Sequence, residues 1–461
     1  MSDSQEVAAT AVETAANSVN NWARAGRHAG IASAAIGVIA AGAAAGVAIE
    51  RMTVGRGMRR RARLALDAEG PYGTLRGTPG AAIGEDGTEL YYEVDEPGEA
   101  PGAAGNGGKS ANGGKSANGG KGTNGGKGAK AARNGKGAKG GARAAADGQA
   151  GAQAGAQVGI RKRLLAALGR RAVAPTVVFS HGYCLSQDSW HFQRAALRGI
   201  VRTVHWDQRS HGRSARGHGQ IDGTDPVTID LLGRDLKAVL DAAVPEGPIV
   251  LVGHSMGGMT VMALADQFPE YVAERVVGVA LIGTSAGRLS EVAFGLPSMG
   301  VKAFHAVAPG LLKALGSQSE IVERGRRATA DLFAGLIKRY SFGTPEDVDS
   351  GVARFAERLI EATPIDVVAE FYPAFAVHDK TEALVAYDAK PALVLAGEKD
   401  LITPADHSRT IAELLPHADH LEVPGAGHLV MLERPELVND QLVSLVERAS
   451  AAARSSRSAR A

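Results

Sequence analysis

From residue 175 onward the chain alternates short, almost wholly aliphatic runs with longer helical patterns, and this alternation restricts its architecture more than any other feature. The runs are residues 175–179 (PTVVF), 201–206 (VRTVHW), 249–252 (IVLV), 276–282 (VVGVALI) and 392–396 (ALVLA), with 421–423 a shorter one. Strands this uniformly apolar have no solvent-facing side, so they belong in a mostly parallel sheet with helices on both faces. The predicted class is therefore α/β, with ligands bound where loops leave the C-terminal ends of the strands. Residues 88–94, after an Asp86-Gly87 turn, add a partly alternating strand.

Elsewhere the composition is unlike that of a packed domain. Of 60 glycines, 21 fall in residues 98–159, and residues 106–129 repeat a six-residue unit (NGGKSA, NGGKSA, NGGKGT, NGGKGA). Such sequence cannot bury enough apolar surface to offset its chain entropy, so residues 98–172 read as a disordered Gly/Lys-rich insertion. Residues 101–143 carry nine Lys and Arg and no acid; the whole chain nets +2, which leaves −7 for the remainder. A mildly acidic body argues against a specific nucleic-acid partner. The single cysteine, Cys184, excludes an internal disulfide and any multi-cysteine metal centre. No metal or organic cofactor is expected.

Residues 29–49 hold no charge and are long enough to cross a bilayer, and six arginines follow within residues 51–63. By the positive-inside rule this predicts a transmembrane helix at 29–49, a mobile N-terminus at 1–28, a basic juxtamembrane segment at 50–82, and a cytoplasmic catalytic domain anchored to the membrane. The competing expectation is a soluble cytoplasmic protein whose Ala/Gly-rich helix touches only the membrane surface.

The loops after the strands carry the chemistry. Residues 249–252 run into Gly253-His254-Ser255-Met256-Gly257-Gly258 and then a helical pattern. In that G-x-S-x-G setting a sharp turn exposes the Ser255 hydroxyl, and Gly253 and Gly257 let strand and helix approach. Residues 175–179 lead into Ser180-His181-Gly182-Tyr183. An acyl-transfer nucleophile needs two N–H donors aimed at the developing oxyanion; the backbone N–H groups of Met256 and Tyr183 are the candidates, with Gly182 free to aim the second and His181 in a structural role. Asp400 follows residues 392–396 and is placed to orient a histidine, with Thr403 and Pro404 as N-cap and first residue of the next helix. His428, on the glycine-rich loop after residues 421–423, is the candidate base; His407, His417 and His420 lie in or beside a helix.

With Ser255, Asp400 and His428 in that order along the chain, residues 83–97 and about 173–448 resemble the α/β-hydrolases, a superfamily of serine esterases, lipases, C–C hydrolases and haloperoxidase-like enzymes. Residues 207–214 (DQRSHGRS) are similar to that family's D-x-R-G-x-G-x-S loop. Ser210 stands where glycine is usual, which predicts a shifted turn, and Asp207 and Arg209 read as structural. The resemblance implies hydrolase core at 83–97, 173–286 and 389–448, a helical cap at 287–388 between the sixth and seventh strands, and a disordered tail at 449–461. It further implies an ester-cleaving serine hydrolase acting through the Ser255–His428–Asp400 triad on a small-molecule acyl substrate, lipid-derived in view of the cap and the anchor. The same triad serves C–C bond hydrolases and perhydrolases, and cap shape decides between them. Epoxide hydrolases and dehalogenases are disfavoured, since they place an aspartate where Ser255 stands. Outside enzymes, the rival is a membrane-tethered binding or scaffold protein. Oligomeric state is left open.

Overall fold

The aliphatic runs become the centre of one sheet. The computed structural model describes residues 72–98, 159–160, 162–164, 174–289, 292 and 337–458. Among them are eight strands: β1 (Thr78–Ile83), β2 (Glu89–Asp95), β3 (Thr176–Ser180), β4 (Thr203–Trp206), β5 (Ile249–His254), β6 (Val276–Ile282), β7 (Ala392–Gly397) and β8 (Asp419–Val423). Their order is β1-β2-β4-β3-β5-β6-β7-β8, with β2 antiparallel to both β1 and β4 and all later pairings parallel. The principal helices are α1 (His191–Leu197), α2 (Ile229–Ala243), α3 (Met256–Gln267), α4 (Pro269–Arg275), α5 (Ser350–Glu361), α6 (Ile365–Ala376), α7 (Ala405–Leu414) and α8 (Pro435–Ser458).

Successive strand residues feed two separate cores. Val177, Phe179, Val250, Val252, Leu393 and Leu395 pack on one face with α1, α5 and α8. Val178, Ile249, Leu251, Ala392 and Val394 pack on the other with α2, α3, α4 and α7. A period of two with both phases apolar is what a doubly covered strand requires. Each fully buried Val, Leu or Ile contributes about 1.5–3 kcal/mol.

Several boundaries differ from the sequence expectation. The sheet starts at Thr78, inside the stretch expected to be a basic juxtamembrane segment, rather than at residue 83. Its first strand, TPGAAI, lies at the sheet edge, where a proline is tolerated because one row of N–H groups needs no ladder partner. Within the expected disordered insertion, residues 159–160 and 162–164 are helical, and Ile160 and Leu164 are buried in the α1–α8 core. Two aliphatic residues four apart supply one helix face, enough to dock that turn. Residues 449–458 of the expected disordered tail are instead the last part of α8, with Ala449 and Ser450 buried. The expected cap ends early: in residues 382–387, Leu384 and Tyr387 are fully buried in the α2–α3 core, and the Tyr387 hydroxyl donates to the Val261 carbonyl at 2.8 Å.

Residues 1–28, the expected transmembrane segment 29–49, the 106–129 repeat and residues 293–336 of the expected cap lie outside the described residues. Among the described residues no helix is long and apolar enough to cross a membrane.

The loop after β4 keeps its turn by an unexpected route. Ser210 itself takes the left-handed conformation (φ 63°), which glycine enters at no steric cost, and its hydroxyl accepts from Gln220 Nε2 at 3.0 Å. Asp207 and Arg209, expected to be structural, are both engaged in buried hydrogen bonds. Buried Asp207 accepts from the backbone N–H groups of Gln187 (2.7 Å) and Arg213 (2.9 Å). Arg209 forms a two-pronged pair with Asp235 of α2 (2.5 and 2.7 Å) and also binds Asp86 in the β1–β2 turn (2.8 Å). One buried guanidinium thus ties the first hairpin, the β4 loop and α2 together. Burial pushes the Asp86 carboxyl up, but its bonds to Arg209 and Thr88 outweigh this and hold it well below the usual carboxylate range.

Candidate active site

Ser255 sits between β5 and α3 in a conformation that L-residues avoid, with φ 52° and ψ −119°. Such strain persists only where the surroundings over-determine it. Here the Ser255 N–H donates to Ile282 C=O (3.0 Å), and its carbonyl accepts from the N–H groups of Gly258 (2.9 Å) and Met259 (3.2 Å) and the Thr284 hydroxyl (2.7 Å). The motif glycines are steric necessities: a Cβ at Gly257 would lie 2.1 Å from the Ser180 carbonyl oxygen, and one at Gly253 would lie 2.5 Å from that of Gly257.

The three residues expected to form the triad converge from loops after β5, β7 and β8. His428 Nε2 is 3.0 Å from Ser255 Oγ, and His428 Nδ1 is 2.8 Å from Asp400 Oδ2. An ionised carboxylate only accepts, so Nδ1 carries the proton and the Nε2 lone pair faces the serine hydroxyl. Asp400 is fixed by the N–H groups of Ile402 (2.8 Å) and Thr403 (2.9 Å) and by the Thr403 hydroxyl (2.8 Å). Thr403 therefore serves the aspartate rather than capping α7, whose N-cap is Pro404, one residue later than expected. The other histidines are engaged or remote: His407 bonds Ser285 Oγ (2.8 Å), His420 bonds Ser408 Oγ (3.0 Å), and His417 is exposed.

Gly182 packs directly against the serine; a Cβ there would stand 2.7 Å from His254 Nδ1 and 3.2 Å from Ser255 Cβ. The expected oxyanion donors are the backbone N–H groups of Tyr183, next to this contact, and of Met256, the residue after the serine. Among the described residues neither N–H has a protein acceptor. The Tyr183 hydroxyl donates to Val368 C=O of α6, and its ring lies 5.0 Å from that of Phe375. Helix α6 packs in turn on Met256 and Met259 of α3. Cys184, in the left-handed region (φ 59°), donates its N–H to His211 Nε2 (3.2 Å).

Four buried residues around the site were assigned no role from the sequence. His254 donates from Nε2 to the His428 carbonyl (2.9 Å), fixing the backbone of the candidate base. Thr284 holds the Ser255 carbonyl, and Gln208 and His211 hold the loop after β3. All are polar residues identified only by where a fold brings their side chains; His254 alone could have been suspected, from its place within the serine motif. Among the described residues no group of three or more His, Cys, Asp or Glu is placed to hold a metal ion.

The site is also rich in neutral histidines. Burial pushes His181 down to about 4 and, with help from neighbouring His181, pushes His211 down to about 3; burial likewise drives His254 far below its ordinary 6.5. The unfolded chain takes up these protons near pH 6.5, whereas the folded chain resists until about pH 4 at His181. Their stabilisation is thus complete above pH 6.5 and is lost as pH falls toward 4, by on the order of 3 kcal/mol for His181 alone. Calorimetry should show Tm falling steadily between about pH 7 and pH 4.5. A Tm independent of pH over that range would mean these rings are not held neutral.

Residues 175–435 match the family model for the alpha/beta hydrolase fold. The chain is 29% identical over 298 residues to the dihydrolipoyllysine-residue acetyltransferase component of an acetoin cleaving system from Pseudomonas putida, covering 64% of this chain and 69% of that protein. It is 27% identical over 277 residues to an sn-1-specific diacylglycerol lipase of Mus musculus, covering 60% of this chain and 82% of the lipase. The esterase RhEst1 from Rhodococcus sp. aligns with a TM-score of 0.50 at 19% identity, covering 80% of this chain and 98% of that one, a likeness of fold.

Proposed function

The chain belongs to the α/β-hydrolase family, and from that premise we propose that it is a serine hydrolase cleaving a carboxylic ester through Ser255, His428 and Asp400. The observation that carries this is the continuous relay from Asp400 Oδ2 through the His428 ring to Ser255 Oγ, at 2.8 and 3.0 Å. In the first half-reaction Ser255 Oγ adds to the ester carbonyl as His428 Nε2 takes its proton. Asp400 stabilises the imidazolium, and the N–H groups of Tyr183 and Met256 receive the oxyanion. His428 then gives the proton to the departing alkoxide, leaving an acyl-serine. A water, deprotonated by the same histidine, releases the carboxylic acid and restores Ser255.

The acyl group is proposed to be moderately apolar and lipid-derived. Supporting this are the apolar surroundings of the oxyanion loop, where Tyr183, Met256, Met259, Phe371 and Phe375 pack together, and the relationship to a diacylglycerol lipase. A series of p-nitrophenyl esters of increasing chain length tests the proposal. Hydrolysis should rise from acetate to medium-chain esters, and a fluorophosphonate probe should label the protein. Absence of both activity and labelling in folded protein would reject a serine hydrolase; a preference for acetate would reject the apolar acyl group.

A further inference from the structure

The two N–H groups assigned to the oxyanion stand on different segments, one on the loop after β3 and one in the first turn of α3. Neither segment alone sets the distance between them. Three fully buried polar side chains connect the two: Thr260, Gln208 and His181. The Thr260 hydroxyl, one turn into α3, lies 2.9 Å from the Met256 carbonyl and 2.7 Å from Gln208 Oε1. Gln208 grips His181 twice, donating from Nε2 to its carbonyl (2.5 Å) and from its backbone N–H to Nε2 of the ring (2.9 Å). The ring completes the path by donating from Nδ1 to the Gly182 carbonyl (2.8 Å), and that carbonyl belongs to the same peptide as the Tyr183 N–H. With its one proton on the nearer Gln208 Oε1, Thr260 anchors Gln208 to α3, the helix whose first residue carries the Met256 N–H, and Gln208 and His181 carry that anchor on to the Gly182–Tyr183 peptide.

We infer that Gln208 is a positioning residue that sets the separation of the two oxyanion donors; this rests on the serine-hydrolase function proposed above. The side chain touches no substrate. Its amide is suited to the place because it must accept from Thr260 at one end and donate to His181 at the other. A carboxylate has no proton for the His181 carbonyl, and an apolar chain leaves that buried carbonyl without its side-chain donor. The β3 loop then relaxes toward another partner and carries the Tyr183 N–H with it. Donors of this kind act only when aimed at the position of the oxyanion rather than the ground-state carbonyl. The loss therefore falls on turnover, with substrate affinity little changed.

The test compares Gln208→Met, Thr260→Val and Thr260→Ser with the native full-length protein. The readouts are kcat and KM on the preferred p-nitrophenyl ester, Ki for a trifluoromethyl ketone of matching chain, and the end-point of fluorophosphonate labelling. For Gln208→Met, kcat should fall roughly 10- to 100-fold, since misplacement by about 1 Å can cost about 100-fold. KM should stay within about threefold, the ketone Ki should rise by the same factor as kcat falls, and labelling should still reach completion. Thr260→Val should lose rate in the same manner, Thr260→Ser should recover most of it, and the double variant with Gln208→Met should be no worse than Gln208→Met alone.

Folded Gln208→Met with kcat within twofold of native, or with its loss confined to KM and an unchanged ketone Ki, overturns the inference. If Gln208→Met does not fold, the Thr260 pair decides: equal kcat for the valine and serine variants overturns it. Native protein lacking Ser255-dependent ester hydrolysis would remove the proposed function and this inference together. Native activity that depends on Ser255 but is indifferent to Gln208 and Thr260 would remove only the inference.

Discussion

Ser255→Ala is expected to lower kcat for ester hydrolysis by on the order of 10⁴- to 10⁶-fold and to abolish fluorophosphonate labelling, with folding unimpaired. Among the described residues the Ser255 hydroxyl is the nucleophile that His428 Nε2 faces, at 3.0 Å. The fold should survive because every bond that holds the elbow uses the backbone of residue 255: its N–H to Ile282, and its carbonyl to Gly258, Met259 and Thr284. Alanine also has the same Cβ as serine and meets the same left-handed strain. Residual rate in the variant would measure what binding and the oxyanion donors achieve without a covalent intermediate. The comparison needs kcat on one ester and unfolding curves for both proteins. A variant that folds like the native protein and keeps more than about a hundredth of its rate would move the nucleophile elsewhere.

Much of this site could be read in the sequence, for a physical reason. A strand buried on both faces is written as consecutive aliphatic residues, so β3, β5, β6 and β7 and the loops at their ends stand out. The elbow is marked because its crowding excludes side chains at Gly253 and Gly257, and steric exclusion leaves glycine as its signature. The edge strand β1 had no such mark: four of its six residues are Pro, Gly or Ala, and only Ala82 is buried. Ile160 and Leu164 were masked by the Gly/Ala-rich sequence around them, since two anchoring residues do not register against composition averaged over a long window. The C-terminal extension of α8 was obscured likewise, because Ala, Ser and Arg read as a tail unless the core that receives Ala449 is known. The polar frame of Gln208, Thr260, His211 and His254 was illegible for a different reason. Its meaning lies in pairings across β3, β4 and α3, and a lone buried Gln or Thr has no periodicity or spacing that announces its partner.

Asp400→Asn is expected to cost about 10⁴-fold in kcat, almost as much as losing the serine, although it changes one atom. The turn itself should be retained. Asp400 Oδ1 accepts from Ile402 and Thr403 N–H, and an asparagine oxygen in that place accepts from both equally well. The amide nitrogen then occupies the place of Oδ2, which in the native protein accepts from His428 Nδ1 and from the Thr403 hydroxyl. Thr403 can adapt, because a hydroxyl accepts as readily as it donates. His428 cannot adapt without cost: facing an N–H donor, Nδ1 must become the acceptor, and the ring proton moves to Nε2, where it points at Ser255 Oγ. A protonated Nε2 takes no proton from the serine, so the base is lost while every heavy atom stays near its place. The variant should keep its Tm within a few degrees, bind the ester with similar KM and label with fluorophosphonate far more slowly than native protein. A kcat within about tenfold of native would show that His428 is oriented by something other than Asp400, and the Thr403 hydroxyl, 3.3 Å from Nδ1, would be the group to remove next.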